Sequence, residues 1–197
     1  MTDKKRAAEF LQVVGIGAIA QAEEFLNAGV SINGLGEETP LGTAILKNKH
    51  KMLDFLLLKG ADINKPYEGK SLLSLAVKHK NLKAVDKLLA RGANPNEVVV
   101  DLIALPNAPE NNVVTVKSLL MIAVELKDYD VMRSLLKAGA NPLLNAGRYD
   151  TAFETAMDCE RCEEYFHQMK QYIKRPLTKA EEKRIEGYII ATRQRDN

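Results

Sequence analysis

Cys159 and Cys162, followed by His167 and flanked by Asp158 and Glu163, form the densest set of metal-ligating or redox-capable side chains in the chain. Thiolate and imidazole are zinc ligands, and a Cys-x-x-Cys pair can also cycle as a disulfide. Structural zinc takes four ligands, however, and no second pair accompanies this one. Two thiols packing within a helix are therefore expected, ahead of a disulfide or a zinc site. His50, His79 and His167 are scattered along the chain without the histidine–carboxylate spacing of a catalytic metal, and exposed positions are expected for all three. Gly15-Ile-Gly17 lacks the third glycine and the preceding strand of a phosphate-cradling loop. The carboxylate pairs Glu23-Glu24, Glu37-Glu38 and Glu181-Glu182 are sequence neighbours, which on a helix point about 100° apart and cannot work as an acid/base couple. The reading is a non-enzyme with no catalytic residue, no metal and no cofactor. An enzymatic alternative rests on the cysteine cluster alone.

Composition narrows the partner classes. With 28 basic and 26 acidic residues in 197, the formal charge is +2, far from the basic excess of a chain that neutralises phosphates, so no nucleic-acid partner is expected. No run of 18 or more apolar residues occurs, and no membrane partner is expected. Lys4-Lys5-Arg6, the apolar stretch from Phe10 to Ala20 and Ala18-Ile19-Ala20 imitate a secretory signal, but Glu9 and Gln12 dilute it. A retained segment and a cytoplasmic location are expected, with export left open. Two cysteines are too few for a disulfide-built fold.

The elements that must carry any site are repeated. Gly29-Val-Ser-Ile-Asn33, Gly60-Ala-Asp-Ile-Asn64, Gly92-Ala-Asn-Pro-Asn96 and Gly139-Ala-Asn-Pro-Leu143 each follow an apolar pair: Phe25-Leu26, Leu56-Leu57, Leu88-Leu89 and Leu135-Leu136. The glycines are spaced 31, 32 and 47 residues apart, the mark of a repeat architecture. Thr39-Pro-Leu-Gly-Thr-Ala44, Ser71-Leu-Leu-Ser-Leu-Ala76 and Ser118-Leu-Leu-Met-Ile-Ala123 precede three of them in constant register. Thr39, Ser71 and Ser118 are suited to cap a first helix, with Pro40 in the first turn where its missing N–H costs nothing. Ala44, Ala76 and Ala123 allow close stacking of neighbouring units, and the paired leucines supply a stripe that a two-helix unit cannot bury alone.

The Thr-Pro-Leu opening, the small alanine and the Gly-Ala-Asp-x-Asn loop resemble an ankyrin repeat, a turn followed by two antiparallel helices. The resemblance implies an all-α solenoid of about five helix-turn-helix units in a single domain, over about 7–33, 34–64, 65–96, 116–143 and 150–175, with a C-terminal cap at 176–197. Repeat five opens at Thr151-Ala-Phe-Glu-Thr-Ala156. Thr178-Lys-Ala-Glu181 offers a capping box for a last helix carrying Ile185, Tyr188 and Ile189 over the end of the stack.

Between repeats three and four the connection is 15 residues longer than a regular one, the insertion being placed within 97–115, with β-branched runs at Val98–Val100 and Val113–Val116 around a Pro/Asn-rich centre. A long hairpin or a folded flap is expected, either filling a groove or projecting as a partner-binding finger through Leu102, Ile103 and Leu105. Repeat scaffolds recognise partners with turn tips and the outward face of the first helices. The tips carry Tyr67, Lys70, Arg148 and Tyr149. Lys78 and His79, with Thr43, Lys47, Leu75, Ile122, Glu125 and Lys127, are expected on the first-helix face. The resemblance implies a non-catalytic protein-binding module, monomeric when free. One protein partner is expected, an enzyme among the candidates, masked in the manner of a stoichiometric inhibitor or a self-protection (immunity-type) protein. The alternative is an adaptor or secreted effector joining two proteins.

Overall fold

Thr39, Ser71 and Ser118 each convert an extended stretch into a helix. Their side-chain oxygens accept hydrogen bonds from the backbone N–H three residues on, at 3.3, 3.0 and 3.2 Å, satisfying a donor that the first helical turn otherwise leaves unpaired. The structure, a computed structural model, describes the backbone of residues 3–105, 108–146, 151–156 and 162–195, and their side chains except those of 101–105, 108–113, 162 and 191–195. The chain divides into two compact units, residues 1–93 and 94–197.

The first unit consists of three helix pairs. They are α1 (Asp3–Ile16) with α2 (Ile19–Asn27), α3 (Pro40–Leu46) with α4 (His50–Leu58), and α5 (Leu72–Lys78) with α6 (Leu82–Ala90). First helices pack in a row, α1 on α3 and α3 on α5, while α4 packs on α6. Phe10, Val14, Ile45, Leu56, Ala76 and Leu88 are wholly buried, each large apolar side chain contributing roughly 1.5–3 kcal/mol of transfer free energy. Phe10 is thus a core residue, as its place in the repeat predicts, and its ring lies 6.0 Å from that of Phe25. Second helices end on a left-handed glycine: Gly60 and Gly92 both have φ of 87°, a conformation that a Cβ would strain. Ion pairs from Lys59 to Glu23 (2.7 Å) and from Lys87 to Asp54 clip successive second helices together.

In the second unit, β1 (Val98–Leu105) and β2 (Ala108–Ser118) form an antiparallel hairpin, pairing Val98 with Ser118, Val100 with Val116 and Leu102 with Val114. The segment expected to be an insertion thus forms a hairpin. Its second strand runs to Ser118, past the expected boundary at 115, because the same serine that ends the ladder caps α7 (Leu119–Glu125). The N–H of Leu119 donates to the Glu97 carbonyl at 3.2 Å and closes the hairpin base. α7 packs on α8 (Tyr129–Lys137) and α9 (Ala152–Ala156), and α10 (Cys162–Gln171) packs on α9 and on α11 (Lys179–Arg195).

The expected capping box at the start of α11 is present and reciprocal. Thr178 N–H donates to Glu181 Oε2 at 2.8 Å, and Glu181 N–H to Thr178 Oγ1 at 3.3 Å. From α11, Ile185 is buried, the Tyr188 ring stacks 6.4 Å from Phe166, and the Tyr188 hydroxyl donates to Glu154 on α9 at 2.9 Å.

Candidate functional site

The repeated loop phrase is a hydrogen-bonding device. The third position accepts from the backbone N–H two residues on: Ser31 from Asn33 (3.3 Å), Asp62 from Asn64 (2.8 Å), Asn94 from Asn96 (3.0 Å) and Asn141 from Leu143 (3.0 Å). This side-chain turn holds the loop in shape. The fifth position reaches the next loop, with Asn33 Oδ1 accepting from Asp62 N–H at 2.8 Å in the first unit and Asn96 Oδ1 from Asn141 N–H at 2.7 Å in the second. The asparagines are therefore committed to register between loops.

The tips around α3 and α5 are joined to each other. Lys65 Nζ donates to the Gly34 carbonyl and Glu68 N–H to the Glu37 carbonyl, both at 2.9 Å. Tyr67 and Lys70 exchange backbone hydrogen bonds at 2.9 Å in both directions. Tyr67, expected at an exposed tip, is only 8% exposed. Its ring packs against Gly42 of α3, so closely that a Cβ there would stand 2.2 Å from a ring carbon. Burial, then the neighbouring charges of Glu38 and Glu68, raise its phenol pKa.

Lys70 and His79 are exposed and Lys78 half-buried, but they do not form one patch. Lys70 precedes α5 and Lys78–His79 end it, with the length of a seven-residue helix, about 10 Å, between them. Leu75 and Ile122, expected on the outward face, are 4% and 6% exposed. The seven-residue first helices bury both flanks between neighbours, and six consecutive residues of α5 are buried. His50, also expected to be exposed, is half-buried. Its Nδ1 has no hydrogen-bond partner, and burial, followed by the charges of Lys83 and Lys87 against that of Asp54, lowers its pKa.

The hairpin carries the clearest unpartnered apolar face. Val98, Val100 and Val114 are 39%, 62% and 57% exposed. The pairing register and the two-residue alternation of strands place all three on one face with Val116. The opposite face includes Lys117, whose ammonium meets the Glu125 carboxylate at 2.6 Å. In the ladder Leu102 pairs with Val114 and Ile103 with Val113. The side chains of Leu102, Ile103 and Leu105 lie outside the described residues, as do Arg148, Tyr149, Cys159 and the side chain of Cys162. Among the described residues no group of three His, Cys, Asp or Glu side chains could hold a metal ion.

Comparison with curated proteins finds no match. A family model described as ankyrin repeats, in three copies, matches residues 11–99. That segment runs from within α1 through α6 and includes the loop phrases whose hydrogen bonds keep the helix pairs in register. Residues 11–99 thus carry ankyrin repeats.

Proposed function

We propose that this chain is a non-catalytic protein-binding module that masks a surface of one protein partner, with the β1–β2 hairpin as its principal contact. Ankyrin repeats serve protein–protein interaction, and the observation that carries the finer reading is the exposed valine face of Val98, Val100 and Val114. Covering three such side chains would contribute on the order of 3–5 kcal/mol before the cost of association is subtracted. That suffices to anchor a complex only together with polar contacts such as those Lys70 and His79 can offer. In this reading the chain is a five-unit single domain, monomeric when free, with the hairpin as insertion and α11 as terminal cap, and its action is stoichiometric inhibition.

The test is affinity capture with the whole chain beside a variant in which residues 98–114 are replaced by a short Gly/Asn turn. Capture of one partner in equimolar amount by the whole chain, lost by the shortened one, is the expected result. Equal capture by both would assign recognition to the repeat tips, and two partners bound at once would favour an adaptor. Val100→Asp with Val114→Asp separates recognition from folding, because both side chains are exposed and should leave the melting temperature unchanged.

A further inference from the structure

The three inter-helix loops of the first unit sit side by side. Asn81 Nδ2, 4% exposed as a residue, donates to the Ile45 carbonyl and to Asn48 Oδ1, both at 3.0 Å, and ties the α5–α6 loop to the α3–α4 loop. The Lys49 side chain passes 3.3 Å from where a Cβ on Gly17 would stand, and that of Lys47 3.8 Å from the same point on Gly15, which brings the α1–α2 loop alongside. Over these loops, residues 13–20, 45–52 and 77–84, the sequence has six lysines and neither Asp nor Glu. Lys47, Lys51, Lys80 and Lys83 are exposed, Lys49 is half-buried, and these five form no ion pair among the described residues. Ile16, at the end of α1 on the same edge, is 70% exposed. A chain of nearly balanced charge thus concentrates its cations beside a bare apolar side chain.

We propose that this loop edge docks on the surface of an anionic lipid bilayer, with the lysines among the headgroups and Ile16 entering the interface. The side-chain chemistry favours this occupant over two others. Lysine is a hydrated point charge that attracts a diffuse anionic surface without demanding fixed geometry, whereas phosphodiester recognition draws on arginine forks and stacking aromatics. The three loops contain no arginine and no Phe, Tyr or Trp. An acidic protein face would neutralise the lysines but would need an apolar pocket placed to receive Ile16, whereas the acyl boundary of a bilayer offers an apolar layer along its whole plane. Burial first and then the Lys83 charge of this edge lower the His50 pKa. Among the described residues no helix is long and apolar enough to cross a membrane, so the attachment is peripheral. This departs from the expectation of no membrane partner, which rested on the lack of a spanning segment and does not bear on a docked surface.

The experiment is co-sedimentation of the full chain with vesicles of phosphatidylcholine, alone or with about 30% phosphatidylserine. Binding to the mixed vesicles alone, abolished by about 0.5 M salt, is expected. Lys49→Glu with Lys80→Glu should weaken it about tenfold or more, and Ile16→Ser about threefold. Thermal melting confirms that the variants fold. A charge-matched control on the second unit, Arg133→Glu with Lys137→Glu, should stay within about twofold of the parent. No binding to the mixed vesicles, undiminished binding by the folded Lys49→Glu/Lys80→Glu variant, or an equal loss in the control pair would overturn the proposal. Binding to duplex DNA or polyglutamate with the vesicles left unbound would overturn it in favour of those polyanions.

Discussion

Two residues decide how closely the repeats of the first unit fit. Gly42 sits inside α3, where alanine would ordinarily gain about 1 kcal/mol through helix propensity. The Tyr67 ring occupies the space its methyl group needs, so Gly42→Ala is expected to destabilise by about 1–3 kcal/mol in urea unfolding, overpacking outweighing propensity. In a Tyr67→Ala background the same substitution should become neutral or favourable, a coupling that a double-mutant cycle measures. A net gain from Gly42→Ala in the parent would show that the contact is looser than described. Asn81 is the second. It caps α6 by accepting from Ala84 N–H at 3.1 Å while its amide donates twice to the preceding loop. Asn81→Ala should cost about 2–3 kcal/mol, and Asn81→Asp, which keeps the cap but sets a buried carboxylate oxygen against the Ile45 carbonyl and Asn48 Oδ1, at least as much. No cost for Asn81→Asp would mean that the bridge to Ile45 and Asn48 contributes nothing.

Among the elements, α11 depends most visibly on a charged cap. The Glu181 carboxylate accepts from the Thr178 N–H and from Arg175 at 2.5 Å, and its pKa falls from 4.5 to about 2, chiefly through Arg175 and then the Thr178 N–H. Because the folded-state value is depressed, the stabilisation it supplies is complete above the ordinary carboxylate range and is lost as pH falls through about 2. The amide resonances of residues 179–182 should follow that titration, and Glu181→Gln should abolish it. A midpoint near 4.5 would rule the cap interaction out. The hairpin shows the opposite dependence. Its β-branched runs were legible as strands, yet which side chains share its exposed face depended on register, and register is set by the partner strand.

For the molecule as a whole, the compactness of residues 1–93 has a direct consequence. Repeat units draw stability from their nearest neighbours, so this segment expressed alone should keep its helical circular dichroism and unfold cooperatively. A non-cooperative, weakly helical fragment would show that its three pairs require the rest of the chain. Helix starts at Thr39, Ser71, Ser118 and Thr178, the left-handed glycines and the five-residue loops could all be read from residue order, since each depends on groups within about four positions of one another. Residue order also carried the ankyrin resemblance over 11–99. It misplaced Tyr67, Leu75, Ile122 and His50 and passed over Asn81, because what those side chains meet lies in another helix or loop. The same holds for the lysine edge: its cations are separate in sequence and become one surface only when stacking aligns the loops that bear them. Local hydrogen bonds and backbone geometry are properties of short stretches of chain, whereas burial, register and charge clustering arise only when distant stretches pack.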